Sequence, residues 1–281
     1  MTETTRLETL LRHDKWIVCA GLVTVTVLAW GYLLSGAGMA MSPFDMTVLS
    51  FIPHQNAGMP MNMPQMGMIT SDWSPGHWAI VLMMWWIMMI AMMVPSAVPM
   101  VLLYARVIRH AQRNNRVTKI TSKISFFVFG YLISWLVFSI IATSLQWGME
   151  QVDWISMKMI TNKGWLSGSL LIAVGIYQLT PLKAACLRHC RSPAEFIASH
   201  MKNGNPGAFQ MGIEHGIFCV GCCWLLMFLL FVGGVMNLLW IVILTFVVLS
   251  EKILPYEDLL PKFTGFTLIA WGTFILTTLL Y

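Results

Sequence analysis

Charged residues are scarce in this chain of 281 residues. Asp, Glu, Lys and Arg make up 10% of the sequence, hydrophobic residues make up 57%, and the mean hydropathy is +0.71. That balance excludes the soluble globular classes. Apolar runs of about 20 residues recur, which is the length a helix needs to cross a bilayer. Strand-like alternation is missing, so the composition predicts an all-α, polytopic helical membrane protein.

Recognisable catalytic motifs are missing as well. The sequence contains no Ser/His/Asp arrangement, no glycine loop of the phosphate-cradling type, no dinucleotide-binding fingerprint and no convincing internal repeat. We therefore expect no catalytic residues, and the sequence favours a role other than that of an enzyme. The net charge of +5 does not imply a nucleic-acid partner, because in a membrane protein the placement of Lys and Arg matters more than their sum.

Hydropathy predicts about seven transmembrane helices, near 16–34, 78–105, 124–147, 165–185, 209–232, 238–254 and 263–281. With a cytoplasmic N-terminus and a periplasmic C-terminus, all of the 17 Lys and Arg residues except Lys158 and Lys163 lie on the cytoplasmic side. This asymmetry predicts a multi-pass protein of a bacterial inner membrane. Two parts are expected: an anchor with a periplasmic loop at 1–77 and a six-helix metal-binding domain at 78–281.

Five of the six cysteines and two histidines form two clusters of soft ligands. They are Cys186, His189, Cys190, His215, Cys219, Cys222 and Cys223. A helix advances by about 100° per residue, so the members of each cluster share one helix face. Two such faces would supply the thiolates and imidazoles that suit Cu(I) or Zn²⁺. The alternative is that small cysteines simply pack well between apolar helices.

Methionine is the compositional outlier, with 23 residues. A Pro- and Gly-rich loop on the predicted outer side, which carries no Lys or Arg, contains Met59, Met61, Met63, Met66 and Met68. Thioether sulfur selects Cu(I) over hard cations, and a loop is a poor place for methionine used as core filler. This loop favours copper over zinc as the metal. A second methionine stripe, at 84, 88 and 92, is more typical of packing between helices.

Two carboxylates, Glu214 and Glu251, lie beside the predicted span ends. Charged groups at membrane depth usually have a function, whereas groups near a span end can simply reach water. Glu214 precedes His215 and could orient its imidazole as a hydrogen-bond acceptor.

Three segments carry a resemblance to a known family: PSAVPMVLLYARV, YQLTPLKAACLRHCRSP and GIEHGIFCVGCCWLLMFLLFVGGVMNLLWIVILTFVVLSEKILP. Over about residues 78–280 the chain resembles an uncharacterised bacterial family of predicted metal-binding integral membrane proteins, a domain of unknown function. The resemblance implies a metal and a membrane, and it implies no particular reaction.

The leading hypothesis is a copper-binding inner-membrane protein that captures, holds or passes on Cu(I) through outer methionines and inner Cys/His ligands. Its expected partners are the lipid bilayer and either other membrane subunits or a copper-dependent enzyme. One alternative is an accessory subunit or assembly factor of a larger membrane metalloenzyme. Another is a membrane thiol oxidoreductase that uses the C-x-x-C pair Cys219 and Cys222.

Overall fold

The computed structural model describes residues 3–36, 73–113, 120–152, 154, 164–254 and 259–279. Every regular element in these ranges is an α-helix, which confirms the all-α prediction for this part of the chain. In chain order the helices are α1 (Glu3–Leu34), α2 (Pro75–Arg113), α3 (Ile120–Gln151), α4 (Gly164–Gln178), α5 (Pro181–Arg191), α6 (Pro193–His200), α7 (Gly204–Phe228), α8 (Leu230–Gly233), α9 (Leu238–Ile253) and α10 (Leu259–Thr278).

Four segments are long and apolar enough to cross a membrane. They are Pro75–Ala111, Thr121–Gln151, Gly204–Gly233 and Leu259–Thr278. Helices α4 and α5 would together make a fifth, although they are bent by 63° relative to each other. These helices are consistent with a membrane protein. The count of seven spans, the orientation of the termini, the division at residue 77 and the bacterial inner membrane stay predictions.

The predicted span 165–185 is interrupted at Leu179 and Thr180, between α4 and α5. Thr180 caps the new helix, since its side chain accepts a hydrogen bond from Lys183 N at 3.3 Å. Pro181 occupies the first turn, where its missing N–H costs nothing. The Thr-Pro pair thus ends one helix and starts another, and the bend turns α5 toward α7, against which it packs.

Helix α2 contains two prolines, Pro95 and Pro99. A proline removes the hydrogen bond to the carbonyl four residues earlier, so Pro95 leaves the carbonyl of Ala91 without its helical donor. Trp30 of α1 replaces that donor, because its indole Nε1–H donates to Ala91 O at 3.2 Å. The kink-prone part of α2 is therefore tied to α1 by a side chain rather than left unsatisfied.

Helices α3 and α7 approach each other at glycines. A Cβ atom on Gly130 would lie 2.2 Å from the carbonyl oxygen of Phe209, and one on Gly212 would lie 2.0 Å from that of Phe127. Small residues allow this kind of backbone contact between membrane helices. The methionine stripe of α2 is buried in the same core, with Met84, Met88 and Met92 at most 1% exposed, as expected for packing.

The close approach of α3 and α7 predicts that a larger residue at Gly130 destabilises the protein. Gly130→Ala should lower the free energy of unfolding by about 1–3 kcal/mol, because the added methyl group meets backbone that cannot rotate away. Gly148→Ala is the matched control on α3, since a Cβ atom there meets nothing within 4 Å. Thermal unfolding of both variants in detergent checks this, and equal stability of the two would contradict it.

Candidate metal site

Five cysteines on α5 and α7 come together, and we call Cys186, Cys190, Cys219, Cys222 and Cys223 the thiol cluster. Cys190 Sγ on α5 lies 4.0 Å from Cys222 Sγ on α7. Cys186 Sγ lies over α7 at Gly221, where a Cβ atom would be 2.9 Å away. The glycine therefore leaves room for a second sulfur of α5 to approach α7. The two sequence clusters thus form one group of sulfur atoms.

The cysteines of the thiol cluster differ in how deeply they are buried. The three α7 cysteines are only 1–2% exposed, whereas Cys186 and Cys190 of α5 are half-buried. Cys222 Sγ and Cys223 Sγ both donate to the carbonyl oxygen of Cys219, at 3.1 and 2.9 Å. Neither thiol is left unsatisfied in this arrangement, and the α5 cysteines form the more accessible side of the cluster.

Cys219 has polar partners from two further helices. Lys252 Nζ, near the end of α9, lies 2.9 Å from Cys219 Sγ and 3.0 Å from Ser96 Oγ of α2. The hydroxyl of Tyr131 on α3 lies 3.1 Å from the same sulfur and donates to Met93 O at 3.2 Å. An ammonium at this distance can stabilise a thiolate by a charge-assisted hydrogen bond, whereas the phenol oxygen of Tyr131, whose proton goes to Met93 O, can accept from the Cys219 thiol.

A thioether lies next to the thiol cluster on its more buried side. Met93 Sδ of α2 lies 3.9 Å from Cys223 Sγ. Met93 belongs to the buried methionine face of α2, and it brings that face into contact with the cysteines. Packing is the prediction for the stripe at 84, 88 and 92, and Met93 beside it adds one direct sulfur–sulfur contact to Cys223.

The two histidines predicted as ligands both stack on aromatic rings in the described part of the chain. His189 stacks on Phe218 with ring centroids 4.1 Å apart, and its Nδ1 lies 2.9 Å from Ala185 O. His215 is 3% exposed and stacks against Phe127 and Tyr131. Its Nδ1 is buried without a hydrogen-bond partner in the described part of the chain.

Across the described ranges, no three His, Cys, Asp or Glu side chains stand close enough together to hold a metal ion in this arrangement. The ligand roles of Cys186, His189, Cys190, His215, Cys219, Cys222 and Cys223 therefore stay predictions. The loop methionines Met59, Met61, Met63, Met66 and Met68 lie outside the described residues. What the structure does provide is a close pair of sulfurs, with further soft donors beside it.

A buried ion pair lies where α9 meets the bend between α4 and α5. Glu251 is 1% exposed, and its Oε2 lies 2.6 Å from Lys183 Nζ. Gln178 Nε2 and Thr264 Oγ1 donate to Glu251 Oε1 at 3.1 and 3.2 Å. Of the two outcomes considered for this carboxylate, reaching water is therefore wrong, because Glu251 is enclosed with its counter-ion. Glu214 forms an ion pair with Lys202 and does not orient His215 through a hydrogen bond.

Comparison with protein families adds a decisive observation. The family model described as PpoB2, copper chaperone, matches residues 82–275, well over half of the chain. The chain belongs to this copper chaperone family. No curated protein and no solved structure matches it. The match supports the metal part of the resemblance and names copper; the membrane part rests on the apolar helices. The thiol cluster, Met93 and Lys252 all lie inside the match, whereas the predicted methionine loop at 59–68 lies outside it.

Sequence reasoning missed two contacts that complete the site. By charge placement alone Lys252 is one more cation on the cytoplasmic side, although it adjoins a carboxylate at the end of an apolar run. Ionisable residues in that position often have a function, and this was the available signal. Tyr131 carried no signal, because one tyrosine within an apolar helix is ordinary and its partner Cys219 is distant in sequence.

The placement of Cys190 predicts the product of mild oxidation. Diamide should join Cys190 to Cys222, since their sulfurs are 4.0 Å apart on two helices and a small side-chain rotation closes a disulfide. Mass spectrometry of the digested protein identifies the linked pair, and Cys222→Ser should abolish it. A dominant Cys219–Cys222 disulfide, as expected of a C-x-x-C oxidoreductase, would contradict this prediction.

Proposed function

We propose that this protein carries Cu(I) on its thiol cluster and passes it to a copper-dependent membrane enzyme. Membership of the copper chaperone family supports copper as the cargo. The observation that carries the proposal is the pair Cys190 and Cys222, brought together from two helices with 4.0 Å between their sulfurs.

The donor chemistry fits a soft monovalent ion. Two metal–sulfur bonds of about 2.3 Å, the zinc–thiolate value, span at most about 4.6 Å, so the Cys190–Cys222 separation suits one ion between the two sulfurs. Structural zinc takes four ligands, and no group of three stands ready in the described residues. Cu(I) is held by thiolates and thioethers, and it needs only a pair or a trio of them. This favours Cu(I) over zinc.

The charges also balance for Cu(I). Two thiols that take up Cu(I) release their protons, and the resulting complex carries one excess negative charge. Lys252, which contacts Cys219 of the same cluster, supplies one positive charge. An uncompensated charge among apolar helices is costly, so this cation stabilises the loaded state.

The difference in burial between the cysteines of α5 and those of α7 suggests which of them would exchange copper and which would retain it. Cys186 and Cys190 are half-buried and would exchange copper with a partner, whereas Cys222 and Cys223 are buried and would retain it. Met93, 3.9 Å from Cys223, would offer a thioether as a further copper ligand on the buried side of the cluster. The outer methionines Met59, Met61, Met63, Met66 and Met68 would collect Cu(I) before it reaches the cluster.

Removal of the sulfur pair tests the proposal. Cys190→Ser and Cys222→Ser should each weaken Cu(I) binding by at least about tenfold, because each removes a soft donor. Cys19→Ser on α1, outside the cluster, is the matched control and should bind as the unmodified protein does. Competition against a coloured Cu(I) chelator in detergent measures the affinity. Equal affinities in all three variants, or preferential retention of zinc, would refute the proposal.

The role of Lys252 can be tested separately. Lys252→Gln should weaken Cu(I) binding by about tenfold, since it removes the charge-assisted hydrogen bond to Cys219. Lys252→Arg keeps the charge and should restore most of the affinity. Arg106→Gln, an exposed cation of α2, is the control for a general loss of positive charge. If Lys252→Gln and Arg106→Gln bind Cu(I) equally well, Lys252 has no part in holding the ion.

A further inference from the structure

A second polar site lies on a different face of α5 from the thiol cluster. A cavity of about 100 Å³ opens between the bend that joins α4 to α5 and the start of α10. Its walls include Lys183, Arg188 and Arg191 of α5 and Lys262 of α10. Four cations around one small cavity are unusual in a chain with so few charged residues, and neither the family match nor copper handling accounts for them.

Two arginines of this cavity, Arg188 and Arg191, carry positive charge that no carboxylate of the described residues neutralises. Glu251 pairs with Lys183, which removes one cation from the balance. Arg191 donates through Nε to the backbone carbonyl of Glu251 at 2.6 Å, so the guanidinium is held in place without losing its charge to a carboxylate. Its Nη2 is buried, and the described residues offer it no acceptor. Arg188 and Lys262 stand at the exposed rim.

The surroundings of the cavity are apolar and face outward. Leu182 and Phe263, the residues next to Lys183 and Lys262, are 63% and 71% exposed. Exposed apolar side chains beside a cationic cavity, at the ends of apolar helices, are what the boundary between lipid tails and headgroups requires. Basic pockets between membrane helices bind anionic headgroups at this level.

We propose that this cavity binds a phosphate group through Arg188 and Arg191. Arginine presents a planar fork of donors that matches phosphate oxygens, and the buried Nη2 of Arg191 would find its acceptor there. The phosphate belongs either to an anionic phospholipid or to a free ion from the aqueous side. This proposal does not depend on copper binding.

The test uses the full-length protein in neutral detergent. Thermal stability is titrated with inorganic phosphate, with short-chain phosphatidylglycerol and with short-chain phosphatidylcholine, for the unmodified protein, Arg188→Gln and Arg106→Gln. Arg188 is a rim cation of the cavity, and Arg106 is an exposed arginine of α2 that does not line it. The loss of one cation should weaken binding by about fivefold in Arg188→Gln and leave Arg106→Gln unchanged.

Each outcome decides the question. Saturable stabilisation by phosphatidylglycerol alone, weakened in Arg188→Gln, supports the site and identifies a lipid headgroup as the source. The same result with inorganic phosphate supports the site with a free ion. The proposal is overturned if neither inorganic phosphate nor phosphatidylglycerol stabilises the protein, or if phosphatidylcholine stabilises it equally well. It is also overturned if Arg188→Gln and Arg106→Gln lose the same affinity. If Arg188→Gln does not fold, Arg188→Lys takes its place under the same criteria, because lysine lacks the planar fork of donors.

Discussion

The backbone contact between α3 and α7 is the constraint on which the candidate metal site depends. Gly130 and Gly212 allow the two helices to approach until backbone meets backbone. Tyr131, the next residue after Gly130, is thereby brought to 3.1 Å from Cys219 Sγ. A larger residue at either glycine would separate the helices and remove the phenol from the thiol cluster. The position of Tyr131 at the thiol cluster therefore depends on the close packing of two helix backbones.

Two neighbouring residues of α9, Glu251 and Lys252, contact two different helices, α5 and α7. Glu251 neutralises Lys183 at the bend between α4 and α5, and Lys252 contacts Cys219 in the thiol cluster. Both are ionisable groups placed among apolar helices, where an unpaired charge is costly. Each finds its partner on another helix, so the end of α9 helps to fix the position of both the bend and the sulfur atoms. The short helix α5 itself is held by the ion pair of Lys183 with Glu251 and by the contact of Cys190 with Cys222.

The sequence predicted the helical class correctly and singled out the cysteines that the structure brings together, because both depend on local signals. Apolar runs of span length appear directly in the residues, and Cys219, Cys222 and Cys223 are close along the chain. It did not predict the bend at Thr180 and Pro181, because the run 165–185 is apolar enough to be one span. The stacking of His189 on Phe218 could not be predicted either, because a helix face shared with Cys186 and Cys190 does not determine which ring of another helix His189 meets.

By itself the sequence determined which atoms are available: five clustered cysteines, many methionines and few charges, in a chain whose helices follow from its apolar runs. The tertiary structure alone decided which of these atoms meet. Cys190 Sγ lies beside Cys222 Sγ, the buried Met93 contacts Cys223, and Lys252 faces the sulfur of Cys219. The physical reason is that ligand type is a property of single residues, whereas proximity between distant residues depends on how whole helices pack.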